Sequence, residues 1–230
     1  MNRWSSTWSS SIGAKTIMAL TGLALLLFVL IHLLGNLQIY LGPDAINAYA
    51  KKLASLGGIL WVMRGGLLAI FALHVASAIR LTLRNRAARP VRYDTQQALE
   101  AGIASRTLIY SGFVVMAFLI YHILHFTIGT TDPSIMVDDG HGHRDVYSMV
   151  ILGFQNTPVA IAYIVAMVLL GFHLHHAIAS LAQTLGLSHP GYRTTMARVG
   201  PVLAFLIAAG NLSIPLAVLS GFLGLPAGGQ

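Results

Sequence analysis

Four histidines, His32, His74, His122 and His173, sit one to each of four strongly apolar stretches of the sequence. An imidazole in hydrocarbon is costly and rare, and where it persists it usually has a function. Neutral imidazole is also a common metal ligand. Four of them on separate helices are the number needed to hold two metal centres with two axial ligands each. Whether they can do so depends on how the chain carries them.

Of the 230 residues, 56% are hydrophobic and only 9% charged, with a mean hydropathy of +0.72. A soluble domain carries about 25% charged residues. Several stretches exceed the roughly 20 apolar residues that span a bilayer. We therefore expect one all-α, polytopic membrane domain over residues 1–230. The chain has no cysteine, which excludes disulfides, thiolate zinc sites and iron–sulfur clusters held by this chain. Any metal must rest on histidine, carboxylate or a prosthetic group. The net charge of +7 reads as a topology signal rather than a nucleic-acid surface, because the arginines flank the apolar runs. The first eleven residues are polar, with Arg3 as a lone charge and Trp4 and Trp8 as interfacial anchors. The apolar run behind them is too long for a signal-peptide core and ends in no small-residue cleavage site, so the N-terminus is expected to be retained.

Five spans are expected, over about 15–40, 59–83, 107–128, 158–185 and 201–223. Gly42-Pro43 closes the first. Pro158 suits the first turn of the fourth, and Pro215 is expected to kink the fifth. Arg80, Arg84, Arg86, Arg89, Arg92 and Arg106 surround the second connection, and Arg193 and Arg198 mark the fourth. The third connection holds Asp132, Asp138, Asp139 and Asp145 against Arg144. The positive-inside rule then puts the N-terminus in the cytoplasm and the C-terminus outside, although Lys51 and Lys52 in the first outer loop run against it. The glycine-spaced run 138–145 reads as a solvated loop rather than a metal site.

At 1.5 Å per residue, His32 lies about 25 Å from Lys15 and His122 about 24 Å from Arg106, which places both in the outer half. His74 is about 15 Å from Arg84, and His173 about 15 Å from Gln183, in the inner half. The pairs are then His32–His122 outside and His74–His173 inside. Two neutral imidazoles facing each other across a bundle suit a low-spin haem, whose filled axial positions leave electron transfer as its chemistry. Two haem b groups are expected. Gly22 and Gly112 fall at the inner depth, and Gly65, Gly66 and Ala162 at the outer depth. Each helix would thus ligate one haem and clear space for the other, although small residues also serve plain helix contacts. His125 and His176 share a face with their neighbours and could serve a haem propionate, the surroundings of the ligands or a quinone. His175 points away from His173, and His189 falls in an inner loop.

The segment Ser10-Ser11-Ile12-Gly13-Ala14-Lys15 leading to Met18-Ala19-Leu20-Thr21-Gly22, followed by His32-Leu33-Leu34-Gly35-Asn36-Leu37, resembles the cytochrome b subunit of succinate dehydrogenases and fumarate reductases. The likeness is to the five-helix, two-haem type of bacteria that use menaquinone, and it covers about residues 10–220. His74 before the arginine-rich connection, Tyr121-His122 and Phe172-His173 fall where that family keeps its other axial ligands. The resemblance implies a subunit of the bacterial inner membrane. It would anchor a flavoprotein and an iron–sulfur subunit on the cytoplasmic face, bind quinone, and pass electrons through its haems. Succinate chemistry itself would belong to the flavoprotein.

A quinone carbonyl needs hydrogen-bond donors at the membrane edge. Ser11 and Lys15 lie about one helical turn apart at the inner edge, where the family uses a serine and a basic residue. Lys15 reads equally as a snorkelling anchor. Asn36, Gln38 and Arg64 are the outer alternatives, and Arg64 could instead hold a haem propionate. Three rival readings remain open. One is the b-type subunit of a formate dehydrogenase or hydrogenase. Another is a haem-free anchor in which the histidines only pack. The third is a membrane di-iron desaturase, suggested by His122-Ile123-Leu124-His125 and His173-Leu174-His175-His176. Those clusters fall at opposite depths and lack bridging carboxylates.

Overall fold

The computed structural model describes residues 10–88, 102–140, 142–186 and 190–226. Arg3, Trp4, Trp8, Arg89, Arg92 and His189 lie outside the described residues, as do the side chains of Ser11, Arg106 and Arg193. Seven α-helices and no strand are found among the described residues, and five of the helices are long and apolar enough to cross a membrane.

Helix α1 (Ser11–Asn36) begins at Ser10, whose hydroxyl accepts the Gly13 N–H at 2.9 Å. That bond satisfies one of the donors left open in a first helical turn. The chain runs on through a 3₁₀ turn, Leu37–Leu41, and stops at Gly42, whose φ of 100° is tolerated by glycine but not by residues with a side chain. Pro43 then opens helix α2 (Pro43–Ala54) in its first turn, where its missing N–H costs nothing. Helix α3 (Gly58–Ala87) follows. Helix α4 (Gly102–His122) widens into a π-helical turn, Ile123–Ile128, which ends on Gly129 at φ 80°. Helix α5 (Val146–Gln155) is short, and helices α6 (Thr157–Thr184) and α7 (Pro190–Leu219) complete the chain.

The five spans run Ile12–Leu41, Gly58–Ala87, Leu108–Ile128, Thr157–Thr184 and Arg198–Leu219, close to those expected from the sequence. Helix α7 starts well before Pro201 and passes through both Pro201 and Pro215 as helix. Proline deprives the carbonyl four residues earlier of its donor, and buried spans tolerate this where neighbouring groups compensate. The apolar side chains point outward: Trp61 is 70% exposed, Val62 76% and Phe205 70%. Such surfaces suit acyl chains and would be unfavourable in water.

The chain forms two compact units, one of residues 1–28, 64–113 and 172–204, the other of residues 29–63, 114–171 and 205–230. Each of the five spans contributes a stretch to both. Among its described residues, the first unit encloses Leu81 and Leu174 and otherwise mainly small residues (Ala14, Ala19, Thr21, Ser77 and Ala204), which let helix backbones approach closely.

The second unit has a larger core, built from Ile39, Ile46, Ile151, Phe154, Tyr163 and Ile214 among others. Two helices that the sequence reading treated as loop, α2 and α5, supply part of it. Helix α2 packs on the 3₁₀ turn before it and on α5. Asp145 caps α5, its carboxylate accepting the Ser148 N–H at 3.1 Å and the Ser148 hydroxyl at 2.6 Å. Asn47 of α2 donates to the same carboxylate at 2.8 Å and accepts the Tyr147 N–H at 3.0 Å. At Gly35 an added Cβ would come within 2.6 Å of the Tyr49 ring, so only glycine admits α2 there.

Candidate functional site

In the first unit, His74 projects from α3 and His173 from α6. Each meets a hydroxyl on another helix. Thr21 Oγ1 of α1 lies 3.2 Å from His74 Nδ1, and Ser111 Oγ of α4 lies 3.1 Å from His173 Nδ1. The proton on each hydroxyl already has an acceptor. Thr21 donates to the Ile17 carbonyl at 2.7 Å, with the Met18 carbonyl at 3.1 Å, and Ser111 donates to the Leu108 carbonyl at 3.0 Å. With each hydroxyl donating to its carbonyl, its lone pair is turned to Nδ1, an arrangement that suits the tautomer protonated at Nδ1. That tautomer leaves Nε2 with its lone pair, the state an imidazole needs to bind a metal.

The glycines beside these hydroxyls explain how the rings fit. A Cβ at Gly22 would stand 3.2 Å from His74 Cε1, and one at Gly112 would stand 3.4 Å from His173 Cε1. The two positions singled out for haem clearance thus make room for the imidazole rings themselves. Gly65 and Gly66 have no heavy atom within 4 Å of such a Cβ, and Ala162 is exposed, so no protein atom fills the space beside them.

In the second unit, the rings of His32 on α1 and His122 on α4 stand 5.8 Å apart, centre to centre, with their planes at 88°. His122 sits among aromatic rings, with Phe118 at 5.8 Å and Phe126 and Tyr163 at 6.0 Å. The Tyr163 hydroxyl of α6 lies 3.4 Å from His122 Nδ1 and 3.1 Å from His125 Nδ1. His125, only 1% exposed, stacks on Tyr121 at 5.5 Å. The π-helical turn contains His125, and such turns often occur at functional sites.

Two metal–nitrogen bonds of about 2 Å, laid end to end with half a ring beyond each, put the ring centres of a trans pair about 6 Å apart. The His32–His122 spacing of 5.8 Å is compatible with that distance and equally with an ordinary edge-to-face ring contact. Among the described residues no three His, Asp or Glu side chains gather as metal-ion ligands, so the imidazoles come in twos.

The remaining sequence candidates are dispersed. Lys15 is exposed on the first turn of α1, Asn36 ends that helix, and Gln38 lies half-buried in the 3₁₀ turn. His176 is half-buried on α6, its ring 5.0 Å from the exposed His175. Arg64 is exposed near the start of α3. The sequence reading did not single out the hydroxyls of Thr21, Ser111 and Tyr163. Two of them carried a signal, since each directly precedes a glycine already marked on its helix. The chain matches no protein-family model, no curated protein and no solved structure.

Proposed function

We propose that the protein is a di-haem cytochrome b of a bacterial inner membrane, the anchor subunit of a succinate:quinone oxidoreductase. The single observation that carries the haem reading is the His32–His122 pair, at a ring spacing compatible with two axial ligands. His74 and His173, each with a back-bonded hydroxyl beside Nδ1, support a second centre that they would ligate through Nε2. Bound between such pairs, haem supplies one-electron transfer and, with both axial positions filled, no substrate binding.

The chain's own residues would hold and orient. His32 and His122 ligate one group, and His74 and His173 the other. His125, His176 and Arg64 are the candidates to meet propionates or support the ligands, and Gly65, Gly66 and Ala162 leave space alongside. Ser11 and Lys15, or Asn36 and Gln38, would offer donors to the carbonyls of a quinone, menaquinone by resemblance. With the N-terminus in the cytoplasm, Arg84 and Arg86 at the end of α3 would face the flavoprotein and iron–sulfur subunits. Electrons would then enter at the His74–His173 centre and leave by the quinone.

The test is direct. The purified chain should show a reduced b-type spectrum with two haems per chain, and a flavoprotein with succinate–quinone activity should co-purify with it. Haem with a formate- or hydrogen-oxidising partner would change the donor. Iron without haem would point to a di-iron enzyme, and neither metal nor haem would leave a packing role for the histidines.

A further inference from the structure

We propose that Thr21 and Ser111 are positioning residues that fix the tautomer and the donor strength of His74 and His173, and so set the potential of the centre those imidazoles hold. The inference rests on the haem reading above. The same three-part device occurs on two helices: a backbone carbonyl at i−3, a hydroxyl at i and a glycine at i+1. On α1 these are Met18, Thr21 and Gly22, and on α4 they are Leu108, Ser111 and Gly112. Serine and threonine in a helix often bond back to their own turn. That habit alone requires neither a glycine next door nor an imidazole opposite. Here a Cβ in place of the glycine would stand 3.2 Å from the ring at Gly22, a tight approach, and 3.4 Å at Gly112, an ordinary contact. The back-bonded hydroxyl then turns its lone pair to Nδ1 at 3.2 and 3.1 Å.

The chemical consequence follows from the direction of the bond. An Nδ1–H held by an acceptor makes the ring more basic at Nε2. A hydroxyl that is itself donating to a carbonyl is a stronger acceptor than an isolated one. A more basic axial nitrogen favours ferric over ferrous iron, which lowers the potential. His122 is supported differently, by a phenol at 3.4 Å that also meets His125. The two centres are therefore open to independent adjustment.

The experiment compares the haem-loaded wild-type chain with Thr21→Val, Thr21→Ser, Ser111→Ala and Tyr163→Phe. Potentiometric titration is followed in the visible spectrum, and the oxidised samples are examined by electron paramagnetic resonance. Thr21→Val and Ser111→Ala should each raise the potential of one and the same haem and alter its low-spin signal. A tenfold change in the ferric-to-ferrous preference corresponds to about 59 mV for one electron. Thr21→Ser should keep the wild-type values, and Tyr163→Phe should move the other haem. Loss of that one haem in Thr21→Val but not in Thr21→Ser would also support the proposal, whereas loss in both would count against it. Two haems with unmoved potentials and signals in Thr21→Val and Ser111→Ala would overturn the inference and leave the haem reading standing. A wild-type chain without b-type haem would remove both.

Discussion

The Tyr163 hydroxyl is shared between His125 Nδ1 at 3.1 Å and His122 Nδ1 at 3.4 Å, in surroundings that are otherwise aromatic. His125 is almost fully enclosed, so in Tyr163→Phe its ring nitrogen would lose this partner where water cannot replace it. Leaving such a group unsatisfied costs about 1–3 kcal/mol, and thermal unfolding in detergent should show a loss of that size. A midpoint equal to wild type would mean the bond contributes nothing. Ser77 presents the opposite case. Its hydroxyl is fully buried on α3, one turn from His74, with no hydrogen-bond partner among the described residues. Removing an unpaired buried hydroxyl relieves a desolvation cost, so Ser77→Ala should keep its stability or gain about 1 kcal/mol. A clear loss in the same melting assay would show that the hydroxyl has a partner in the working protein.

Helix α5 depends on a single carboxylate. Burial pushes the Asp145 carboxyl up, but the donors from Ser148, Asn47 and Tyr147 outweigh it and hold it below its ordinary value of 3.8. A folded value below the unfolded one means this stabilisation is complete above the ordinary carboxyl range and fades as the pH falls below 3.8 toward the folded value. Asp145→Ala should cost about 1 kcal/mol through the lost cap and should flatten the acid limb of a stability–pH curve. An unchanged limb would show that the cap does not titrate with folding. Helices α2 and α5 also show where the sequence stops being legible. The long spans were readable because length and apolarity alone dictate them, and Gly42-Pro43 marked a real stop. Helix α2 mixes Asn47, Lys51 and Lys52 with apolar residues and takes its place by packing on α5. Helix α5 is a ten-residue apolar run, too short to signal a span. Depth along each helix was enough to bring His32 beside His122. The hydroxyl partners of His74 and His173 could not be read the same way, because they depend on which helix faces face each other.

For the molecule as a whole, the absence of cysteine makes orientation testable with single introduced thiols. The proposed topology predicts that Arg86→Cys reacts with an impermeant maleimide only in inside-out vesicles, and Thr131→Cys only in right-side-out ones. The reverse pattern would invert the topology and with it the order in which electrons meet the two centres. The two compact units also differ in what encloses them. The second holds the aromatic and aliphatic core that α2 and α5 complete, whereas the described residues that close the first are mainly alanine, serine and threonine, with Leu81 and Leu174. Local opening follows the density of buried contacts. Amide hydrogen exchange in apo-protein should therefore be faster around His74 and Ser111 than around His122 and Ile151, and equal protection in both would refute this. A protein built this way would loosen first around His74 and His173, while the surroundings of His32 and His122 still held.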